Sequence, residues 1–259
     1  MRLTFLGTGT SFGVPVVGCD CETCTSDDPR DRRTRHGAVV NLGETNVLVD
    51  TPPELRLQLL DAGIDRVNAV WYTHDHGDHV HGIDDLRAFT VRGQADLPAY
   101  VPEEFETVFR ERFRYVFDRQ IHAPRGSSKP EVEMRVFGPD RPVDLFGHSF
   151  TPLVVPHGHI NAYGFRVGDL GYVTDGKLLP PATMAALDGV KVLVLNALWF
   201  GKPHPTHFNV EEAVEAAQAV GAERTYLTHL THRVRHQELL DRLPGGIEPA
   251  YDGLTVDIP

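Results

Sequence analysis

A layered α/β domain is predicted from three features of the sequence. Short apolar runs closed by Gly, Pro or Asp recur along the chain, as buried strands require. Early strands give way to alternating strand and helix patterns towards the end, which fits sheets covered by helices. The 259 residues are 41% hydrophobic and 24% charged, an ordinary globular balance that one large α/β domain can satisfy.

In chain order, strands are expected at 2–6, 38–41, 46–50, 69–73, 150–155, 163–167, 171–174, 191–196 and 225–228. Helices are expected at 53–62, 84–89, 102–117, 181–187, 210–220 and 236–243. The helix at 210–220 carries the fullest signature. Asn209 suits its N-cap, Glu211 and Glu212 its first turn, and Gly221 its end. The whole chain reads as one domain, 1–259. A helical lid is expected as an insertion at 91–142, where Arg110, Arg112, Arg114, Arg119 and Arg125 alternate with aromatic residues. Such a segment is either a solvated amphipathic helix or a positive rim over an anionic substrate.

Lys plus Arg number 25 and Asp plus Glu 36, a formal charge of −11. That balance argues against a nucleic-acid partner, which usually meets a basic face. There is no apolar stretch long enough for a membrane span and no leader-like N-terminal core, so a cytoplasmic, membrane-free protein is expected.

The composition holds 14 histidines and 3 cysteines. The strongest local signal is Thr73-His74-Asp75-His76-Gly77-Asp78-His79, which follows the apolar run Ala69-Val70-Trp71-Tyr72. Imidazole and carboxylate in this density suit Zn, Mn or Fe. The same pattern, an apolar strand running into a ligand-type residue, recurs at His157, Asp175 and His229. Separately, Cys19, Cys21 and Cys24 lie within six residues. An odd, tight set is poor material for disulfides and good material for a metal. His232 offers a fourth donor, which would close a structural Cys3His zinc site.

His74-x-His76-x-Asp78-His79, followed by His157, Asp175 and His229, resembles the metallo-β-lactamase superfamily. The resemblance implies a four-layer αββα sandwich. It also implies two divalent metals, Zn or Mn, with His74, His76 and His157 on one, Asp78, His79 and His229 on the other, and Asp175 bridging. A hydroxide held between the two cations would attack the substrate, oriented by Asp78. Asp75 and Thr228 are candidates to support the ligands from behind.

Leu6-Gly7-Thr8-Gly9-Thr10-Ser11, Gly13-Val14-Pro15, Gly18-Cys19-Asp20-Cys21, Tyr172-Val173-Thr174-Asp175 and His229-x-x-His232 are similar to the PhnP-type cyclic phosphodiesterases of bacterial phosphonate breakdown. That likeness implies a small cyclic phosphodiester substrate, of the 5-phosphoribosyl 1,2-cyclic phosphate or 2′,3′-cyclic nucleotide type, and a homodimer. His207 would be the extra active-site histidine, giving a proton to the leaving oxygen or contacting the phosphate. Lys177 and Arg233 are substrate-binding candidates by position. The competing readings are a PqqB-like protein, a tRNA 3′-processing nuclease, a thioesterase or lactonase, and a non-catalytic binding module. The last would be expected to have lost ligands, and all seven are present.

Overall fold

The computed structural model describes residues 1–91 and 96–259. Fourteen strands are described: β1 (Arg2–Gly7), β2 (Gly37–Asn41), β3 (Asn46–Val49), β4 (Ala69–Trp71), β5 (Leu97–Pro102), β6 (Val132–Phe137), β7 (Val143–Leu145), β8 (His148–His157), β9 (Ile160–Val167), β10 (Leu170–Tyr172), β11 (Val192–Asn196), β12 (Arg224–Thr228), β13 (Ile247–Pro249) and β14 (Thr255–Asp257). They form two seven-stranded sheets, ordered β14-β1-β2-β3-β4-β5-β6 and β13-β12-β11-β10-β9-β8-β7. Both are mixed. Strands β1, β2, β3 and β14 pair antiparallel and β3 to β6 parallel, while β7 to β10 pair antiparallel and β10 to β13 parallel.

The strand chemistry follows this pairing. Strand β11, with parallel neighbours on both sides, is buried along its whole length and reads Val-Leu-Val-Leu-Asn. Between the sheets, fully buried Trp71 packs against Phe137, Phe150 and Phe165 at centroid distances of 4.2, 5.8 and 5.6 Å. Its indole N–H donates to the carbonyl of Tyr163, 2.9 Å away, so the ring is buried without stranding its polar atom.

The helices are α1 (Leu55–Asp61), α2 (Gly77–Val80), α3 (Arg87–Thr90), α4 (Glu106–Arg112), α5 (Arg114–Phe117), α6 (Pro181–Ala186), α7 (Val210–Val220) and α8 (His236–Arg242). They flank the sheets in the αββα arrangement expected. Helix α7 has the expected boundaries and a capping box. Asn209 Oδ1 accepts from the N–H of Glu212, and the Glu212 carboxylate accepts from the N–H of Asn209.

The span 91–142 is not the helical lid expected. It supplies β5 and β6 to the first sheet, and its helical part is confined to 103–117. Residues 92–95 of it lie outside the described residues. Phe105, Phe109, Phe113 and Phe117 turn inward to the core. Arg110, Arg114 and Arg119 pair with Glu106, Asp118 and Glu133, so they do not form a free positive rim. Among the described residues, no helix is long and apolar enough to cross a membrane.

Candidate dinuclear metal site

The expected ligands meet at one edge of the two sheets. Strand β4 delivers the His74–His79 segment, whose last residues form α2, and β8 ends on His157. Asp175 and His229 follow β10 and β12, and Asp50 follows β3. These three non-glycine residues have positive φ angles of 55°, 56° and 61°. That conformation is unfavourable for a residue with a Cβ and is held by surrounding structure at functional turns. Here it bends the chain at the strand end and turns a ligand-type side chain into the edge. Helix α2 is seated against the loop after β3. The Thr51 N–H donates to His79 O and the Gly82 N–H to Thr51 O. A Cβ on Gly82 would stand 2.0 Å from the Pro52 carbonyl, so only glycine permits this approach.

Among the overlapping groups of donors whose atoms lie within 4.8 Å of one another are His74, His76 and His157, and Asp78, His79 and His229. Asp175 lies between them, its carboxylate oxygens 3.3 Å from His79 Nε2 and 3.0 Å from His229 Nε2. The family resemblance implies a metal for each of these two sets, while the donors also gather as His74, His79 and Asp175 and as His157, Asp175 and His207. The Nε2 atoms of buried His74, His79 and His229 have no hydrogen-bond partner. Buried polar atoms aimed at a common point without partners are costly unless a ligand satisfies them.

The electrostatics suit cations. Burial opposes ionisation of Asp175 and Asp78, yet the surrounding histidines hold both well below the usual carboxylate range. His79 is pushed the other way. Burial would lower its pKa, but Asp175, Asp78 and Asp50 outweigh it and raise it to about 10. Burial lowers His74, and lowers His157 to about 4, leaving both neutral and ready to coordinate. A buried pair of carboxylates, with neutral His74 and His157 beside them and a proton on His79 that a cation would displace, fits two divalent cations.

The support behind the ligands includes a residue the strand reading passed over. Asp50 is fully buried. Its carboxylate accepts from His79 Nδ1 at 2.7 Å and from the N–H and Oγ1 of Thr73, both at 2.8 Å. This fixes His79 to present Nε2. The signal was available, because Val47-Leu48-Val49-Asp50 repeats the pattern of strand followed by ligand-type residue. His36, also passed over, lies behind the site. Its Nε2 is 2.7 Å from the Tyr172 hydroxyl and its Nδ1 3.4 Å from Thr228 Oγ1. Asp75 is turned to Arg112 of α4, which bonds both its carbonyl and its carboxylate.

His207 joins the site. Its Nε2 lies 2.8 Å from Asp175 Oδ1, and its ring stacks at 5.0 Å on His229. Arg233 lines a cavity of about 380 Å³ beside His207 and His229. Lys177 does not reach that cavity. Its Nζ sits 2.6 Å from both carboxylate oxygens of Glu212, so the first turn of α7 takes its charge instead.

Cys19, Cys21 and Cys24 gather around His232, with Sγ atoms 3.3, 3.5 and 3.6 Å from its Nδ1. Hydrogen bonds, first that from the Cys24 backbone, draw the Cys21 thiol down to about 6. Burial pushes Cys24 up to about 11. Three thiols so close cannot all ionise without a cation, and the donor set is that of a closed tetrahedral zinc site. Buried Arg33 braces the loop carrying His232, donating to the carbonyls of Thr231 and Val234.

Residues 45–230 match the beta-lactamase superfamily domain. The chain therefore belongs to the metallo-β-lactamase superfamily. A solved structure described as a new diphosphatase from the PhnP family is 40% identical, with a TM-score of 0.90 over 100% of this chain and 98% of that one. The chain belongs, within the superfamily, to the PhnP family. An octanoyltransferase from Porphyromonas gingivalis is 36% identical over 260 residues, covering 100% of this chain and 52% of that protein. The chain thus spans about half the length of that relative. A ribonuclease Z from a Mycobacterium species is 29% identical, covering 88% of this chain and 84% of that one.

Proposed function

We propose that the protein is a two-metal phosphodiesterase acting on a small cyclic phosphate, of the 5-phosphoribosyl 1,2-cyclic phosphate or 2′,3′-cyclic nucleotide type. The observation that carries this is His207, 2.8 Å from the carboxylate between the two donor groups, with the cavity opening beside it. The named relatives include a diphosphatase and a ribonuclease Z, and both act on phosphate esters or anhydrides.

Two divalent cations, Zn or Mn, would supply Lewis acidity and an activated water. His74, His76 and His157 would hold one, Asp78, His79 and His229 the other, and Asp175 both. Asp78 orients the water. His207 holds at Nε2 the proton that the leaving oxygen takes up. Its burial lowers its pKa, which makes the protonated ring a stronger acid. Arg233 contacts the part of the substrate that does not react. Cys19, Cys21, Cys24 and His232 hold a structural zinc. We infer a single domain, a cytoplasmic homodimer, and a role of the phosphonate-breakdown kind. Hydrolysis of a diphosphate is the second reading, favoured by the 40% identical diphosphatase.

The test is hydrolysis by Mn- or Zn-loaded protein of a 2′,3′-cyclic nucleotide, a diphosphate, a thioester and a lactone. Turnover of the cyclic phosphate in preference to the others is expected. Turnover of the thioester or lactone alone would overturn the reading. His207→Ala should slow a diester with a poor leaving group far more than one releasing p-nitrophenolate, and equal losses would remove its role as acid.

A further inference from the structure

The cavity beside the metal edge has a composition of its own. Its wall includes Phe12, Trp199, His204 and Arg233, and among the described residues no Asp or Glu lines it, although the chain has 36. An anionic ligand therefore enters without meeting a carboxylate on the wall. Phe12 is 73% exposed, on a turn closed by the Gly13 N–H donating to the Thr10 carbonyl. That turn is pinned beside a metal ligand, because the preceding strand bonds the residue after His229 through Leu230 N–H to Thr8 O. The backbone of that turn thus sets Phe12, largely exposed, on the wall of the cavity. On the same cavity wall, Trp199 carries the Arg233 guanidinium over one face at 4.4 Å. Its edge meets His204 at 5.6 Å, and His204 in turn lies 5.1 Å from His207. A row of rings therefore runs outward from the metal edge to a cation.

Aromatic and guanidinium groups on the wall, no acid among its described lining residues, and room for a small ligand suit a planar base attached to a phosphate. We propose that this cavity is a base-stacking subsite formed by Phe12, Trp199 and Arg233, and that it selects cyclic nucleotides over cyclic phosphates of a bare sugar or polyol. The proposal rests on the phosphodiesterase reading and narrows its substrate class. His204 joins the outer wall to His207, so the base and the reacting phosphate occupy one continuous site.

The test compares kcat/KM for 2′,3′-cyclic AMP and glycerol 1,2-cyclic phosphate in the wild type, Phe12→Ala and Phe12→Tyr. Base–aromatic stacking predicts that the ratio of the two falls roughly 5- to 150-fold in Phe12→Ala and is restored in Phe12→Tyr. A ratio unchanged in Phe12→Ala would overturn the subsite. A second readout is independent of turnover. The chain has two tryptophans and Trp71 is fully buried, so adenosine 3′-monophosphate should quench the Trp199 emission saturably, and glycerol phosphate should not. If neither cyclic phosphate is hydrolysed, the phosphodiesterase reading falls, and the quench alone then decides the subsite. Absence of saturable quenching by the nucleotide would overturn it.

Discussion

Asp50→Asn isolates one hydrogen bond at the metal edge. Asparagine tolerates the φ of 61° found at this position, so the turn after β3 should survive. Its carbonyl oxygen can keep the bond to the Thr73 N–H, and the Thr73 hydroxyl can reverse to accept. The bond to His79 Nδ1, 2.7 Å in the native chain, cannot be kept. When Nε2 coordinates a metal, Nδ1 carries the proton, and an amide NH2 would face it donor to donor. Losing one charge-assisted hydrogen bond costs about 1.5–3 kcal/mol, or roughly 10- to 150-fold in metal affinity. The loss should fall on the metal proposed for Asp78, His79 and His229. Competition with a chelator, resolving two affinities, measures it, and thermal unfolding of the metal-free protein checks the fold. Unchanged affinity at both positions, or equal weakening of both, would refute the role given to Asp50.

Three further outcomes are expected. Cys21→Ser should lower bound zinc by one per chain and reduce the melting temperature while the two edge metals stay; metal counting on the purified variant would contradict a separate site if all metals left together with the fold intact. Asn209→Ala removes the cap of α7 and should cost about 1 kcal/mol, a fall of roughly 2–4 °C in melting temperature by calorimetry. His236 is buried, which lowers its pKa to about 4, so stability is complete above the unfolded value near 6.5 and is lost as pH falls towards 4. With solvent screening allowed for, that loss is about 1–2 kcal/mol, and urea titrations between pH 7 and pH 4 should show it shrink in His236→Gln.

The seven candidate ligands were legible in the sequence because they fall at only four points, each at or just past the end of an apolar strand, and a strand end is where a chain can offer a polar side chain without placing it inside a sheet. The cysteine cluster was legible because its spacing admits few other uses. Strands β5, β6, β7, β13 and β14 were not. Several are short, and Pro98, Pro102 and Pro249 or charged residues interrupt their apolar pattern. Their place is set by neighbours rather than by periodicity. The arginines of 91–142 left a solvated helix face and a positive rim both open because the sequence hides their partners, and only the fold brings Arg119 to Glu133 and Arg112 to Asp75.

What the sequence determined by itself was therefore the local chemistry: strand cores, the cap of α7, and the residue types able to bind metal. The tertiary structure decided which of them meet. Lys177 and Arg233 are equal as charges in the sequence, yet Glu212 takes the first while the second stacks on Trp199 at the cavity. Asp50 is one acidic residue among 36 until the sheet sets it, buried and ionisable, against His79. The physical reason is range: propensity and capping act over a few residues, whereas desolvation and charge pairing depend on groups that folding brings together from distant parts of the chain.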